Sequence, residues 1–408
     1  MLGQTMRTLP SERRRLPIAI WMLGFVSLLM DVSSEMIHSL LPVFLVTGLG
    51  ASMLVVGLIE GFAEAMALIV KVFSGALSDF WGRRKPLAVL GYGMGALSKP
   101  LFAIAGGAGA VFAARLIDRI GKGIRGAPRD ALVAELAPGS LRGAAFGLRQ
   151  SLDTVGAFVG PLLAMALMAL WANDFRAVFW VAALPAGLAV ALLCFGVREP
   201  ARRPDWQPVN PIRRANLARL PPSYWWVVTL GAVFTLARFS EAFLILRAQD
   251  GGLPLTLVPL VLIAMNIVYA LSAYPFGRLS DRVGHTGLLV LGLLILLAAD
   301  LVLAFSPQAP WVWIGVALWG LHLGVTQGLL TRMVADSAPS DLLGTAYGLF
   351  NLVAGVALLV ASGLAGWLWD RLGAAATFHA GAIFVALALA TLAMRSLLTR
   401  TAGADRPG

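Results

Sequence analysis

Carboxylates and cations occur inside long apolar segments of this chain, where they could bind and move protons. Glu60, Glu64 and Lys71 lie in the apolar segment 54–78 at spacings of four and seven residues, so they share one face of a helix. An ionisable group near the middle of a bilayer costs at least ~2.5–3.5 kcal/mol on insertion scales, so it needs a partner or a wet cavity. One interpretation is a protonatable role for Glu64. The other is a buried Glu–Lys pair that locks two helices together.

A denser set of charges occupies the segment 110–136. Helical spacing places Arg115, Asp118 and Lys122 on one stripe, where Asp118 could pair with both cations. A surplus of cations along a cavity would attract an anionic solute. The alternative is a salt-bridge network that closes one end of the helices. We favour this alternative for three residues near the end of the segment: Arg125, Arg129 and Asp130.

Ionisable residues recur in two further apolar segments. Asp31 and Glu35 are four residues apart in the first segment, and His38 follows about one turn later. Arg149 and Asp153 have the same spacing in the segment 143–170. All five residues therefore join the candidates for a polar path through the membrane.

The composition indicates a membrane protein. Of 408 residues, 59% are hydrophobic and only 13% are charged, so a soluble domain of this length could not cover itself with polar surface. The net charge of +11 comes from cations in particular loops, which favours membrane orientation over nucleic-acid binding. The single cysteine, Cys194, excludes an internal disulfide. We see no catalytic Ser/His set and no metal-ligand spacing, so we expect no enzyme activity, metal or other cofactor.

Twelve apolar segments reach the ~20 residues that a helix needs to cross a bilayer. They predict an all-α membrane protein with twelve transmembrane helices in two six-helix bundles. The segments cover residues 17–46, 54–78, 86–105, 110–136, 143–170, 175–197, 224–246, 254–280, 286–305, 311–335, 343–369 and 375–396. The expected domains are a first half, 1–197, and a second half, 223–408, joined by a cytoplasmic linker rich in proline and arginine, 198–222.

The distribution of Lys and Arg predicts the orientation in the membrane. The N-terminus, the loop after Asp79, the linker and the C-terminal tail are basic, whereas the loops at Gly48, Gly106 and Pro307 carry almost no charge. Both termini are therefore expected in the cytoplasm, and the protein in the cytoplasmic (inner) membrane.

The second half of the chain repeats the first. The stretch 143–148, GAAFGL, aligns with 344–349, GTAYGL, and other matching pairs have nearly the same sequence separation. The counterpart of Glu64 is the neutral Asn266. The repeat therefore predicts two bundles of similar fold and different charge.

Two loop sequences carry a family resemblance. The stretch 75–85 contains Asp79 and a tight turn at Gly82 before a run of cations, and it recurs in weakened form at 277–285. Both copies resemble the loop motif of the major facilitator superfamily of secondary transporters, which follows the second and eighth helices. The resemblance implies two bundles that rock about a substrate site near the bilayer midplane. It also implies gating roles for Gly75, Asp79, Gly82, Arg83, Arg84, Gly277, Asp281 and Arg282.

Two intramembrane stretches also resemble motifs of this superfamily. The run RIGKGIRGA, which begins at Arg119, resembles the fourth-helix motif, with Lys122 in place of the usual Gln. The family's arginine that matches Arg119 is implicated in proton coupling. Gly156, Gly160 and Pro161 resemble a fifth-helix gating signature often associated with antiporters, although small residues at this spacing also serve plain helix packing.

The resemblance directs further residues to a central substrate cavity. Family helices 1, 4, 7 and 10 line that cavity, and the seventh segment of this chain contributes Arg238 and Glu241. For His322 a satisfied core histidine is the default interpretation. The expected cavity residues are Lys122, Arg115, Arg149, Arg238, Glu241, Asn266, His322 and Gln327.

The buried charges suggest how transport could be driven. They are concentrated in the first half, so we predict that this half couples transport to protons, with Glu64 and Asp118 as leading carriers. The proton-coupling candidates are Glu64, Glu60, Asp118, Arg119, Asp153, Glu35 and Asp31.

The preferred function is a monomeric secondary transporter in the lipid bilayer that exports a small organic solute by proton antiport, with no nucleic-acid partner. The alternative is an uptake symporter or facilitator for an anionic metabolite. Lys99 and Asp300 occupy equivalent repeat positions outside this scheme, and snorkelling towards the membrane interface is the simplest explanation for them.

Overall fold

The computed structural model of the protein describes residues 16–138, 141–199, 219–280, 285–305, 308–326, 329–339 and 342–404. These residues form helices and connecting turns, with no β-strand among them. Most of the predicted linker, residues 200–218, lies outside the described residues. Each of the twelve predicted spans corresponds to one helix or to a broken pair of helices.

The first half contains six spans. The first span consists of α1 (Ile18–His38), a short turn, α2 (Leu41–Val43) and a π-helical turn (Phe44–Gly48). The other five are continuous helices: α3 (Met53–Trp81), α4 (Lys85–Ile104), α5 (Ala108–Leu136), α6 (Arg142–Leu170) and α7 (Phe175–Gly196).

The second half has the same number of spans, and one of them is interrupted by a non-helical segment. Helices α8 (Pro222–Leu236) and α9 (Ala242–Asp250) flank a non-helical segment at 237–241, and α12 (Ala309–Thr326) is followed by α13 (Leu329–Ser337). The remaining spans are α10 (Leu260–Ser280), α11 (His285–Phe305), α14 (Leu343–Leu372) and α15 (Ala374–Ala404). Non-helical backbone at membrane depth is tolerated where it is buried in protein or lines a cavity. The segment 237–241 therefore marks a place to look for a site.

The helices identify a multi-pass membrane protein. Within the described ranges, nine helical segments are long and apolar enough to cross a bilayer. Helix α5 is absent from that set because of its charges. Helices α8 and α9 are absent because the break at 237–241 leaves each of them too short. Large apolar side chains such as Phe195, which is 90% exposed, point away from the protein, as expected for lipid contact.

The two halves meet along α3 and α14. Gly57 and Gly366 have no side chain, and a Cβ atom on either would collide with a backbone carbonyl of the facing helix. Small residues let helix backbones approach closely in membranes. At one end of this contact, the Asp370 carboxylate accepts hydrogen bonds from the backbone N–H groups of Met53 (2.9 Å) and Leu54 (2.8 Å).

We call the two ends of the molecule the neutral end, with the loops at 49–52, 105–107, 171–174 and 251–254, and the basic end, with the loop at 82–84. Asp370 lies at the neutral end, where Thr256 of the second half also donates a hydrogen bond to Asn173 of the first half at 3.0 Å. The halves are therefore joined at the neutral end.

Glycine contacts also set the packing inside the first half. A Cβ atom on Gly156 or Gly160 of α6 would collide with the backbone of α1, beside Asp31 and Glu35 respectively. The close helix approach predicted for these glycines is therefore present. Gly91 of α4 and Gly121 of α5 make a second close contact, which brings the charged helix α5 against α4.

Candidate functional site

A cavity of about 410 Å³ lies between the two halves of the molecule. Its wall combines side chains of α1, α3, α5 and α6 with side chains of the non-helical segment 237–241 and of α10, α12 and α14. The lining residues are Glu35, His38, Glu60, Glu64, Arg119, Lys122, Ala157, Arg238, Phe239, Ser240, Glu241, Leu262, Asn266, Tyr269, Trp319, Leu323 and Leu358. Most of the ionisable residues in this wall were predicted as site residues from their spacing.

Four of the charged residues in and behind the cavity wall form a continuous ion-pair network. The guanidinium of Arg115 lies 2.6 Å from Glu60 and 3.7 Å from Glu64, and Arg119 lies 3.0 Å from Glu64. Glu64 and Lys71 do share a helix, but the alternative interpretation of a buried Glu–Lys pair is wrong. Lys71 is exposed, and the cations of α5 neutralise both glutamates because α5 packs directly against α3.

His38 extends this network to α1. Its Nδ1 atom is 3.4 Å from Glu35 and its Nε2 atom is 3.9 Å from Glu60. The imidazole thus stands between two carboxylates from different helices.

Asp118 lies behind the cavity wall with a partner that the sequence did not suggest. Its carboxylate is 2.7 Å from the Lys99 ammonium and 3.2 Å from Arg119, whereas Arg115 and Lys122 were the expected partners. Lys99 also donates to Ser34 Oγ at 3.1 Å, and it is only 1% exposed. Snorkelling is therefore the wrong explanation for Lys99. The close contact of α4 with α5 puts this lysine opposite Asp118.

The charges near the basic end pair within the first half and do not line this cavity. Asp31 lies 3.7 Å from Arg125, and Asp153 lies 3.0 Å from Arg149. Arg149 also approaches Asp130 at 3.5 Å. The predicted placement of Arg149 at this cavity is therefore wrong, because its guanidinium lies between two carboxylates. The salt-bridge interpretation holds for this end of α5.

Three charged residues line the cavity without an ion pair to any described residue. They are Lys122 of α5 and two residues of the non-helical segment, Arg238 and Glu241. Asn266, the predicted counterpart of Glu64, faces the same space. These groups are available to a solute, because binding one would not require breaking a salt bridge.

The second-half wall of the cavity contains the predicted Arg238, Glu241 and Asn266, and beside them an apolar patch that was not predicted. Phe239, Trp319 and Leu323 contribute to it, and the rings of Phe239 and Trp319 are 5.4 Å apart. Such residues are ordinary in a membrane helix, so their types gave no signal. The repeat could have found them, since Trp319 and Leu323 occupy the positions of Asp118 and Lys122 in the first half.

Two other predicted cavity residues lie away from this space. Arg115 is 1% exposed and stands behind Glu60, to which it is bonded. His322 is fully buried, its Nδ1 is 2.8 Å from the Gly292 carbonyl oxygen, and its ring stacks on Phe234. It is a core histidine, as the default interpretation had it, although its Nε2 has no hydrogen-bond partner among the described residues. Gln327 lies outside the described residues.

The candidate gating loop has the predicted turn. Gly82 ends α3 with a left-handed backbone, φ +61°, which favours glycine. Arg84 hydrogen-bonds to Ser78 and approaches Glu135, both in the first half, and Arg83 is exposed. The side chain of Asp79 and residues 281–284, which include Asp281 and Arg282, lie outside the described part of the structure.

Comparison with known proteins extends the motif resemblance to most of the chain. The sequence profile of the Major Facilitator Superfamily matches residues 23–362. An uncharacterised MFS-type transporter of Methanocaldococcus jannaschii is 34% identical over 377 residues, with 91% of this chain and 93% of that protein covered. The class C tetracycline resistance protein of Escherichia coli is 26% identical over 313 residues, with 72% and 76% covered.

The three-dimensional comparison agrees with the sequence comparison. The crystal structure of the nucleoside transporter NupG superposes with a TM-score of 0.75 at 14% sequence identity. The match covers 93% of this chain and 99% of that one. At this identity the likeness concerns the fold, which is that of two six-helix bundles around a central cavity.

Proposed function

The chain belongs to the Major Facilitator Superfamily, and from this premise we propose that it exports a small organic solute in exchange for protons. It is a multi-pass membrane transporter, and its cavity between the halves is where a solute would bind. The observation that carries the proposal is the network of Glu60, Glu64, Arg115 and Arg119 at that cavity, next to His38.

The geometry of Glu64 supports proton coupling. Its side chain is 29% exposed, whereas Glu60 is buried, so a proton arriving through the cavity reaches Glu64 first. Protonation would break the 3.0 Å ion pair with Arg119 and leave that cation to Asp118. If the solute and the proton compete for this part of the cavity, the binding of one releases the other, and the two are exchanged. Asp118, with two cations already bound, acts in this scheme as the fixed counterion.

Two observations favour export of an amphiphilic solute. The cavity combines charged groups with an apolar patch of the second half, formed by Phe239, Leu262, Trp319 and Leu323, which fits a compound with one polar and one apolar side. The relative named as a tetracycline resistance protein is a second support, since resistance by export would need such a transporter. Tetracycline is therefore a suitable first compound to test.

A second candidate function is uptake or facilitated movement of an anionic metabolite. It is favoured by Lys122 and Arg238, which line the cavity as cations without an ion pair to the described residues. In this case the two cations bind the solute, and the carboxylate network keeps the first half folded. No pH gradient would then be needed.

The deciding experiment follows proton movement in proteoliposomes that hold a pH gradient. Tetracycline and a panel of amphiphilic compounds are added while a pH-sensitive dye reports the gradient. We expect some compounds to dissipate the gradient with the native protein but not with Glu64→Gln. Asp336→Asn is the matched control, because this exposed carboxylate of α13 lies outside the cavity.

Each outcome separates the two candidates. Gradient loss that persists in Glu64→Gln removes Glu64 as the proton carrier. Equilibration of labelled organic anions without any effect on the gradient would contradict proton antiport and support the facilitator.

We propose that the protein lies in the inner membrane of the cell, with its basic end and both termini in the cytoplasm. A single chain contributes every wall of the cavity, so a monomer suffices for transport. The orientation is tested by labelling Gly106→Cys in a Cys194→Ala background, since a Cβ atom at Gly106 meets no neighbour. We expect a membrane-impermeant maleimide to label it from outside intact cells, and labelling only after lysis would reverse the orientation.

A further inference from the structure

Asp300 is a buried carboxylate that the proposed function does not use. It lies on α11 and is fully buried, so it does not snorkel to an interface as the sequence suggested. Gly381 of α15 packs directly against its carboxylate, and any side chain larger than hydrogen there would collide with it. Phe239 approaches the same point from the non-helical segment. The site has room for a carboxylic acid and little else.

Neither oxygen of Asp300 has a hydrogen-bond partner in the described part of the chain. None of the charged or titratable side chains on the elements around α11 forms an ion pair with it there. Arg247 is bound to Asp250 at 2.8 Å, and His322 makes its contact with the Gly292 carbonyl. The neighbours of this kind with described side chains are Arg238, Glu241, Arg247, Asp250, His322, Arg332, Asp336 and His379, whereas the side chains of His285, Arg395 and Arg400 lie outside the described part of the structure.

The equivalent place in the first half shows what is missing. The same sequence separation relates Lys99 to Asp300 and Asp118 to Trp319, and it also relates Gly143 to Gly344. In the first half the two positions hold a 2.7 Å salt bridge. In the second half they hold a carboxylate and an indole, and the N–H of Trp319 is also buried without a partner.

An ionised carboxylate cannot remain in such a place. A buried charge must be paired or neutralised, and Asp300 has no cation to pair with among the described residues. We propose that Asp300 is a proton-binding site of the second half, occupied in this conformation and separate from the carboxylates of the cavity. The carboxylate and one proton form the neutral acid, so the step needs no other reactant.

The position of Asp300 also provides a route for its proton. Phe239 and Trp319 pack against each other, and both belong to the cavity wall. They separate Asp300 from the cavity in this conformation. A shift of Phe239 would open this barrier, because helix-type hydrogen bonds are found only at the two ends of the segment 237–241 among the described residues, and Ser240 N–H is bonded instead to Ser362 Oγ. The proton on Asp300 can then exchange with the cavity without passing through the Glu60–Arg115 network.

The test is infrared spectroscopy of the full-length protein in lipid nanodiscs, with light and heavy water as the probes. We expect a carbonyl stretching band of a protonated acid that shifts when aspartate is labelled with heavy carbon in its carboxyl group. The band should be absent from Asp300→Asn and unchanged in Asp250→Asn, an aspartate paired with Arg247. The native spectrum needs no variant, so misfolding of one variant does not prevent the test.

Exchange of the band in heavy water tests the route. We expect slow exchange in the native protein and at least tenfold faster exchange in Phe239→Ala, which opens the barrier. Absence of the band from the native protein would show an ionised Asp300 and overturn the proposal. A band that never exchanges, even in Phe239→Ala, would overturn it as well, because a trapped proton is not a binding site in use. Neither result depends on whether the cavity exports or imports its solute.

Discussion

The two halves of this transporter share a fold and a sequence repeat but differ in what their central helices carry. In the first half, α3 and α5 contribute Glu60, Glu64, Arg115 and Arg119, which form an ion-pair network. In the second half, the equivalent helices α10 and α12 contribute mostly apolar side chains to the same cavity. The difference shows that the repeat fixes where the helices stand and leaves the chemistry of each wall free. Helices α3 and α5 can therefore carry an ion-pair network while α10 and α12 contact the apolar part of a solute.

The largest expected effect contrasts Lys99 with Asp300, which are equivalent in the repeat. Lys99→Leu removes a partner from the buried Asp118 and should lower the free energy of unfolding by about 3 kcal/mol. Asp300→Asn should change it by less than about 1.5 kcal/mol, since a neutral acid is replaced by a neutral side chain of nearly the same size. Denaturant titration in detergent, followed by tryptophan fluorescence, measures both. Equal destabilisation would contradict the claim that only one of the two sites is ionic.

The contact between the halves can be perturbed at a single atom. Gly366→Ala places a Cβ against the Met53 carbonyl and should cost about 1–3 kcal/mol in unfolding free energy through overpacking. Gly93→Ala is the control, because a Cβ there meets nothing and alanine favours a helix by roughly 1 kcal/mol. Thermal denaturation compares the two variants. A neutral Gly366→Ala would mean that α3 and α14 are less closely packed than described.

A weaker effect should follow at the neutral end, where Asp370 caps α3 from the other half. Asp370→Ala removes both hydrogen bonds to Met53 and Leu54, and the loss of a cap costs about 0.5–2 kcal/mol. Those two amides should exchange their hydrogens several-fold faster, as measured by mass spectrometry. Asp174→Ala, which removes a cap within the first half, should instead affect Arg176 and Ala177. Unchanged exchange at Met53 would show that this cap does not join the halves.

The smallest expected effect concerns the two walls directly. Lys122 and Leu323 are equivalent in the repeat and both line the cavity. Lys122→Met should alter the preference for solute charge. Leu323→Ala should weaken the binding of apolar solutes about fivefold, because about 1 kcal/mol of apolar burial is lost. Transport competition with a panel of charged and neutral compounds measures both. Identical changes in the two variants would remove the proposed division of labour.

The sequence predicted the fold well, because span length and the positions of charged loops are set by the bilayer itself. It also identified the family, which the profile match confirms. The break at 237–241 was not predicted. This stretch contains neither proline nor glycine, and it is held by tertiary contacts such as the hydrogen bond from Ser240 N–H to Ser362 Oγ. Local sequence carries no sign of such a contact.

The sequence predicted which charged residues share a helix face, but it did not predict which residues they pair with. Helical spacing correctly grouped Glu60 with Glu64, but it could not show that Arg115 and Arg119, and not Lys71, would neutralise them. That choice depends on which helix packs alongside. Lys99 reaches Asp118 for the same reason, since Gly91 and Gly121 bring α4 and α5 together.

Ser362 of α14 contacts both the interface between the two halves and the wall of the cavity. Its carbonyl lies where Gly57 of α3 passes closest, and its hydroxyl accepts the hydrogen bond from Ser240 in the cavity wall. A shift of α14 along its own axis by one residue is a displacement of ~1.5 Å, which is large enough to break that hydrogen bond if the segment 237–241 stays in place. Sliding of the helices would thus change the shape of the solute site through one side chain. The cavity can sense the relative position of the halves even where no charged residue connects them.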